Sequence, residues 1–297
     1  MKYLLILIYG IVIFLKFSPK HWFNFKIYAL NNIKHLFHNN FKITSKISNI
    51  LHNTMYNNNA YFYVEVNKEL QTFIETNCTY YSYLNEQLKK DFLKRVQSFI
   101  NDKQFKAYEN CSFGNIEIFT IAYHAVILSF GLKHYLFDEF DEIFIGENSL
   151  PNTNYNKKIA GLTSTQGYMF FSKNAIIDGL KNPKDGYNIL FHEFAHGLCI
   201  QAMLSGEDIL NDSLFKRWMK SCSNYLDEIE QGKKIFLREY AFTNYQEFFA
   251  VSVESFFERS EEYVSSFPEH YQNMCTLLNQ NTIHTGNPII QNRTTYN

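Results

Sequence analysis

The segment FHEFAHGLCI, residues 191–200, carries His192, Glu193 and His196 in the order H-E-x-x-H. On a helix, positions 192 and 196 lie roughly 40° apart on one face. Two imidazoles so placed can share one tetrahedral ion, and zinc accepts nitrogen and carboxylate ligands. Glu193, one position on, projects beside that ion, where a carboxylate can take a proton from a water on the metal. The chemistry implied is metal-assisted hydrolysis. Hydrolytic zinc sites use three protein ligands and keep a fourth position open, so a third ligand is needed. No third histidine follows at the spacing of the extended H-E-x-x-H-x-x-G-x-x-H pattern. A carboxylate from a later helix remains, and TNYQEFFAVSVESFFER, residues 243–259, offers Glu247 and Glu254. Seven residues apart, the two sit within about 20° on a helix, so periodicity does not choose between them. Glu247 also fits the third position of a capping-box-like turn behind Asn244. Glu254 fits an outer hydrogen-bond partner for a ligating imidazole.

These residues need elements to position them. Around the motif, Leu190, Phe194 and Leu198 form one apolar row, and Phe191, Ala195 and Ala202 another. A helix apolar on both rows is buried, and a buried His-Glu-His stripe has polar groups to satisfy. Asp185 is the expected N-cap of this helix and Gly206 its expected stop. Upstream, residues 85–105 place Leu88, Phe92, Val96, Phe99 and Ile100 at helical spacing. Residues 116–130 read as a buried helix ending before Gly131, with His124 as a core histidine. DEIFIG and GYMFFS read as short strands.

Composition narrows the class. The chain of 297 residues is 46% hydrophobic, enough for one large core or two small ones. Its 28 basic and 29 acidic residues leave a net charge of -1 with no long basic run, so nucleic acid is set aside as a partner. Cys78, Cys111, Cys199, Cys222 and Cys275 are scattered, odd in number and without a C-x-x-C. That pattern argues against a disulfide framework and against a cysteine zinc site, and it fits a reducing compartment.

The first residues are different. YLLILIYGIVIFL, residues 3–15, is uninterrupted by charge, with Lys2 and Lys16 placed to snorkel. The run is short against the roughly 20 residues of a span. It lacks an A-x-A-like cleavage site and is read as a membrane anchor. Lysines after it place the remaining chain on the cytoplasmic side. The expected organisation is an anchor or signal segment at 1–18, a connector at 19–59, a globular domain at 60–280 and a flexible tail at 281–297.

HEFAH, followed some fifty residues later by YAFTNYQEFFAVSVESFFE, resembles the Mlc titration factor A family of zinc metallopeptidases. The catalytic half of anthrax lethal factor is a more distant likeness. FGLKHYLFDEFDEIFIG, NPKDGYNILFHEFAH and LLNQN add to the resemblance, which covers roughly residues 80–280. The resemblance implies zinc on His192, His196 and Glu247, with Glu193 as general base. It also implies a catalytic tyrosine at Tyr240, which would otherwise read as one of 21 tyrosines in an aromatic-rich core. A hydroxyl there can donate to the oxyanion of a tetrahedral intermediate. Cys199 stands where the family usually has an aspartate. The N-terminal apolar segment is absent from the soluble members.

The expectation is therefore an α+β, zincin-like domain in which the H-E-x-x-H helix packs under a small sheet. GYMFFS is the expected edge strand or its neighbour, and the edge can pair with an extended peptide. The expected activity is zinc-dependent hydrolysis of peptide or protein substrates, of aminopeptidase type by resemblance. The rival expectation, implied by the same resemblance, is a membrane-tethered regulatory protein that sequesters a transcriptional repressor on the same scaffold. An intact Glu193 argues against that rival, because a purely structural zinc site needs no base.

Overall fold

The computed structural model describes residues 65–152, 157–204, 210, 212–232, 235–283 and 288–290. The chain runs through α1 (Lys68–Asn77), α2 (Thr79–Ser82), α3 (Glu86–Asp102), β1 (Gln104–Ala107) and α4 (Asn115–Ser129). Next come β2 (Glu142–Gly146), β3 (Leu150–Asn152), β4 (Lys157–Ile159), β5 (Gly161–Ser164) and β6 (Tyr168–Ser172). The second half is helical: α5 (Lys173–Lys181), α6 (Ile189–Leu204), α7 (Asp212–Glu230), α8 (Tyr245–Glu258), α9 (Ser260–Ser266) and α10 (Pro268–Leu278). A 3-10 turn, Glu239–Thr243, leads into α8.

The architecture is mixed α+β, with one small four-stranded sheet and mostly helices. Sheet order is β1-β2-β6-β5. β1, β2 and β6 are parallel, and β5 pairs antiparallel with β6 through Leu162–Phe170 and Thr163–Met169. GYMFFS is thus the neighbour of the edge strand, and the edge is β5. β5 was not foreseen, because GLTS has one large apolar residue and no alternation to read. β3 and β4 form a separate antiparallel pair.

α3 and α4 form where the apolar spacing places them. Phe92, Val96 and Phe99 of α3 are fully buried, and Asn85 caps it by accepting from the Leu88 N–H at 3.0 Å. α4 is apolar all round and is buried from Phe119 to Ser129. His124 sits in it as a satisfied core histidine, its Nδ1 2.8 Å from the Thr120 carbonyl.

α6 is the central element. Phe194 is fully buried in a nest of Phe99, Phe137 and Phe171, with ring centroids 5.9, 5.0 and 5.5 Å away. A Cβ at Gly197 would lie 2.6 Å from Met169 of β6, so the helix approaches the sheet as closely as a glycine allows. The expected N-cap is corrected. Asp185 instead accepts from the Tyr187 N–H at 2.8 Å, closing a tight turn before the helix. Asn188 is the cap, with Oδ1 accepting from the N–H groups of Leu190 and Phe191 at 3.1 and 3.2 Å. α6 ends at Leu204, and Gly206 lies outside the described residues.

The apolar N-terminal segment and the connector also lie outside the described residues. Among the described residues, no helix is long and apolar enough to cross a membrane. Of the expected tail, residues 281–283 and 288–290 are described, and they fold back. The Asn281 N–H donates to the Pro288 carbonyl at 2.7 Å, and the Thr282 hydroxyl to the Phe256 carbonyl at 2.9 Å. The five cysteines are free thiols.

Candidate metal centre

α6 presents His192, Glu193 and His196, and the first turn of α8 presents Glu247 to them. Asn244 is extended and caps α8, accepting from the Gln246 and Glu247 N–H groups at 2.9 and 3.0 Å. Only half of a capping box forms, because the Glu247 carboxylate turns towards the histidines. Glu247 Oε2 lies 3.1 Å from His192 Nε2 and 3.5 Å from His196 Nε2. The two Nε2 atoms are 3.2 Å apart. Three potential ligand atoms therefore form a triangle.

The residues fit a zinc ion. Bonds of about 2.05 Å to a tetrahedral zinc require ligand atoms about 3.3 Å apart. The observed edges lie on either side of that value. Glu247 Oε2 is buried and takes no hydrogen bond, which is costly for a carboxylate oxygen unless a cation compensates. His192 Nδ1 lies 2.7 Å from Glu254 Oε1. A carboxylate only accepts, so Nδ1 carries a proton, and Nε2 is the nitrogen that faces the triangle and would give up its own proton to a metal.

Electrostatics follow from this crowding. Burial would lower the His192 pKa, but the Glu247 and Glu254 carboxylates outweigh it and lift the value to about 10. Burial would raise Glu247, but the facing imidazoles pull it down to about 2. Glu193 is buried, and desolvation holds its pKa above the usual carboxylate value against the pull of His192, His196 and Thr163. Its side chain packs against the edge strand. Thr163 Oγ1 is 2.9 Å from both Glu193 Oε2 and the Glu193 carbonyl. A Cβ at Gly161 would lie 2.6 Å from Glu193 Cγ and 2.7 Å from Ile189.

Tyr240 lies at the open side, 48% exposed, on the 3-10 turn that precedes α8. Its ring centroid is 6.0 Å from that of His192. Partial burial first, then the neighbouring Glu247 and Glu193 carboxylates, keep its hydroxyl protonated above the usual tyrosine range. All five residues singled out in the sequence thus converge. Glu254 sits behind His192, one α8 heptad below Glu247, as its spacing allowed.

Other participants went unread. Arg238 pairs with Glu254 Oε1, and its guanidinium lies 3.8 Å from the centroid of the Tyr187 ring. An arginine seven residues before α8 carries no local signal of that partnership. Thr163 and Gly161 act from thirty residues away across a strand that lacks a period. Asn188 did carry a signal, since Asn directly ahead of an apolar helical run is a cap signature.

The family model for glucose-regulated metallo-peptidase M90 matches residues 54–278. A protein of Synechocystis sp. (strain ATCC 27184 / PCC 6803 / Kazusa), named only as uncharacterized, is 25% identical over 229 residues. That match covers 68% of this chain and 80% of the relative.

Proposed function

The chain belongs to the glucose-regulated metallo-peptidase M90 family, and on that premise we propose that it is a zinc-dependent peptidase of zincin-like fold. The observation that carries the reading is the triangle of His192 Nε2, His196 Nε2 and Glu247 Oε2, with Glu193 beside it on the same helix. In this reading those three residues hold the metal, and the open side by Tyr240 admits substrate. Zinc bound there supplies a Lewis acid that polarises the scissile carbonyl and acidifies an attacking water.

The chain's own residues do the rest. Glu193 takes the proton of the attacking water and returns it to the leaving amine. Its burial raises its basicity, which suits that role, and the Thr163 hydroxyl steadies the carboxylate. The Tyr240 hydroxyl stays protonated and donates to the oxygen on which negative charge develops. Glu254 holds the His192 ring in the tautomer that leaves Nε2 free. Peptide substrate lies extended along the edge of β5, whose backbone is paired on one side by β6.

Glu193→Gln tests the assignment. It keeps the shape and removes the proton acceptor. The variant should retain fold and metal while hydrolysis of a mixed peptide library falls on the order of 10²–10⁴-fold. Equal turnover by variant and parent would sink the peptidase reading. The same digest, repeated with N-acetylated peptides, tests the aminopeptidase-type action implied by the Mlc titration factor A resemblance. Cleavage unaffected by acetylation would rule that type out.

A further inference from the structure

Behind the triangle lies a buried polar cluster that the proposed chemistry does not use. Its hub is Asn188, 5% exposed. Its backbone N–H donates to Glu254 Oε2 at 2.7 Å, and its carbonyl accepts from the His192 N–H at 2.9 Å. Its Oδ1 accepts from the N–H groups of Leu190 and Phe191, the second and third residues of α6. Its Nδ2 lies 2.9 Å from Glu258 Oε1 and 3.3 Å from His124 Nε2.

The donor and acceptor inventory fixes the orientation of the Asn188 amide. His124 Nδ1 donates to the Thr120 carbonyl, so Nε2 is an acceptor in the neutral ring. Glu258 Oε2 accepts from the Gly186 N–H at 3.0 Å. The two Nδ2 hydrogens then serve Glu258 and His124, and both Oδ1 lone-pair directions face N–H donors. A flipped amide would set an NH2 against two N–H groups and an oxygen against a carboxylate. One side chain therefore ties the start of α6 to α4 and to the far end of α8. The same residue's backbone holds the carboxylate that orients His192.

We propose that Asn188 is a positioning residue for the metal centre: it locks the register of α6 against α8, so that His192 Nε2 meets His196 Nε2 and Glu247 Oε2. The inference rests on the reading of those three residues as metal ligands. Asparagine is specified over other caps. Serine or aspartate can accept from the helix N–H groups, but neither can donate at once to Glu258 and His124.

The test uses the full-chain protein and cobalt(II) as probe, with affinity and the visible ligand-field spectrum as readouts. Asn188→Asp keeps a capping oxygen and removes both donors. Cobalt affinity should fall about tenfold to a hundredfold, as for other outer-shell partners, with a perturbed spectrum. Adding Glu258→Gln puts an N–H donor opposite the new carboxylate and should restore most of the affinity. Asn188→Ser carries the same comparison without an added charge if the aspartate variant does not fold, and the same loss is expected. Asn85→Ala, which uncaps the distant α3, should lower Tm and leave cobalt binding at the parental level. Parental affinity and spectrum in the Asn188 variants would reduce Asn188 to an ordinary cap and overturn the proposal. A double variant as weak as the single one would overturn it too. A parental chain that takes up no cobalt would remove the metal centre itself, and this inference with it.

Discussion

At the scale of single residues, two glutamates one heptad apart on α8 divide the work of the site. Helical periodicity left Glu247 and Glu254 equivalent, and only the approach of α6 separates them. Glu247 Oε2 faces both Nε2 atoms, whereas Glu254 is 2% exposed and meets Nδ1 of His192, the Asn188 N–H and Arg238. Removing the first should delete a ligand, and removing the second should loosen one. Zinc affinity measured by competition with a chromophoric chelator should nearly vanish in Glu247→Gln. In Glu254→Gln it should fall about tenfold to a hundredfold. The reverse order would exchange the two roles. The H-E-x-x-H residues were legible because their chemistry and spacing are local. Arg238 was not, because its partnership with Glu254 depends on how the chain turns into α8.

At the scale of elements, the site depends on α6 lying very close to β5 and β6. Gly161 and Gly197 permit that approach from opposite partners, one on the strand and one on the helix. Gly161→Ala would drive a methyl into Glu193 Cγ and Ile189. The expected result is retained zinc content with kcat reduced about a hundredfold, because a small misplacement of a reacting group is that costly. Zinc content and kcat on one preparation check it, and an unchanged kcat would show that Glu193 tolerates the shift. Apolar spacing disclosed α3, long apolar runs disclosed α4 and α6, and the downstream carboxylate segment disclosed α8. No such signal disclosed β5, a four-residue strand whose importance is its neighbour, or the cap at Asn188, which competed with Asp185 three residues earlier. The resemblance supplied Tyr240, which has no periodic or spacing signal of its own.

At the scale of the whole molecule, two core histidines set the response to acid. Burial lowers His124 to about 4, against a hydrogen bond to Thr120 that raises it, and lowers His270 to about 3. Both protonate near 6.5 in the unfolded chain, so between those values the unfolded state binds more protons. Stability is then lost as pH falls below about 6.5, by on the order of 3–5 kcal/mol for each residue at the acid end. Glu258 acts in the opposite sense. Burial raises it to about 7, so its folded form holds a proton that the unfolded chain releases above about 4.5. Its contribution is full below about 4.5 and is lost by pH 7, which offsets part of the histidine loss in that window. His270 packs against the Trp218, Phe248 and Tyr225 rings, with Ser221 Oγ 3.4 Å from Nδ1 and Cys222 Sγ 3.7 Å from Nε2, so a phenyl ring keeps the ring packing and gives up those two long contacts. His270→Phe should therefore move the midpoint of acid unfolding, followed by circular dichroism, to lower pH. A midpoint that does not move would show that His270 is not what acid titrates.

The same molecule, purified as the full chain with zinc added and excess removed, allows the most direct test. Zinc-edge X-ray absorption reports both the presence of the metal and the atoms around it. One zinc per chain is expected, with two imidazole nitrogens, a carboxylate oxygen and one further light atom at about 2.0–2.2 Å. His196→Ala should lose the bound metal. A chain without stoichiometric zinc, or a shell containing sulfur, would contradict the centre built from His192, His196 and Glu247.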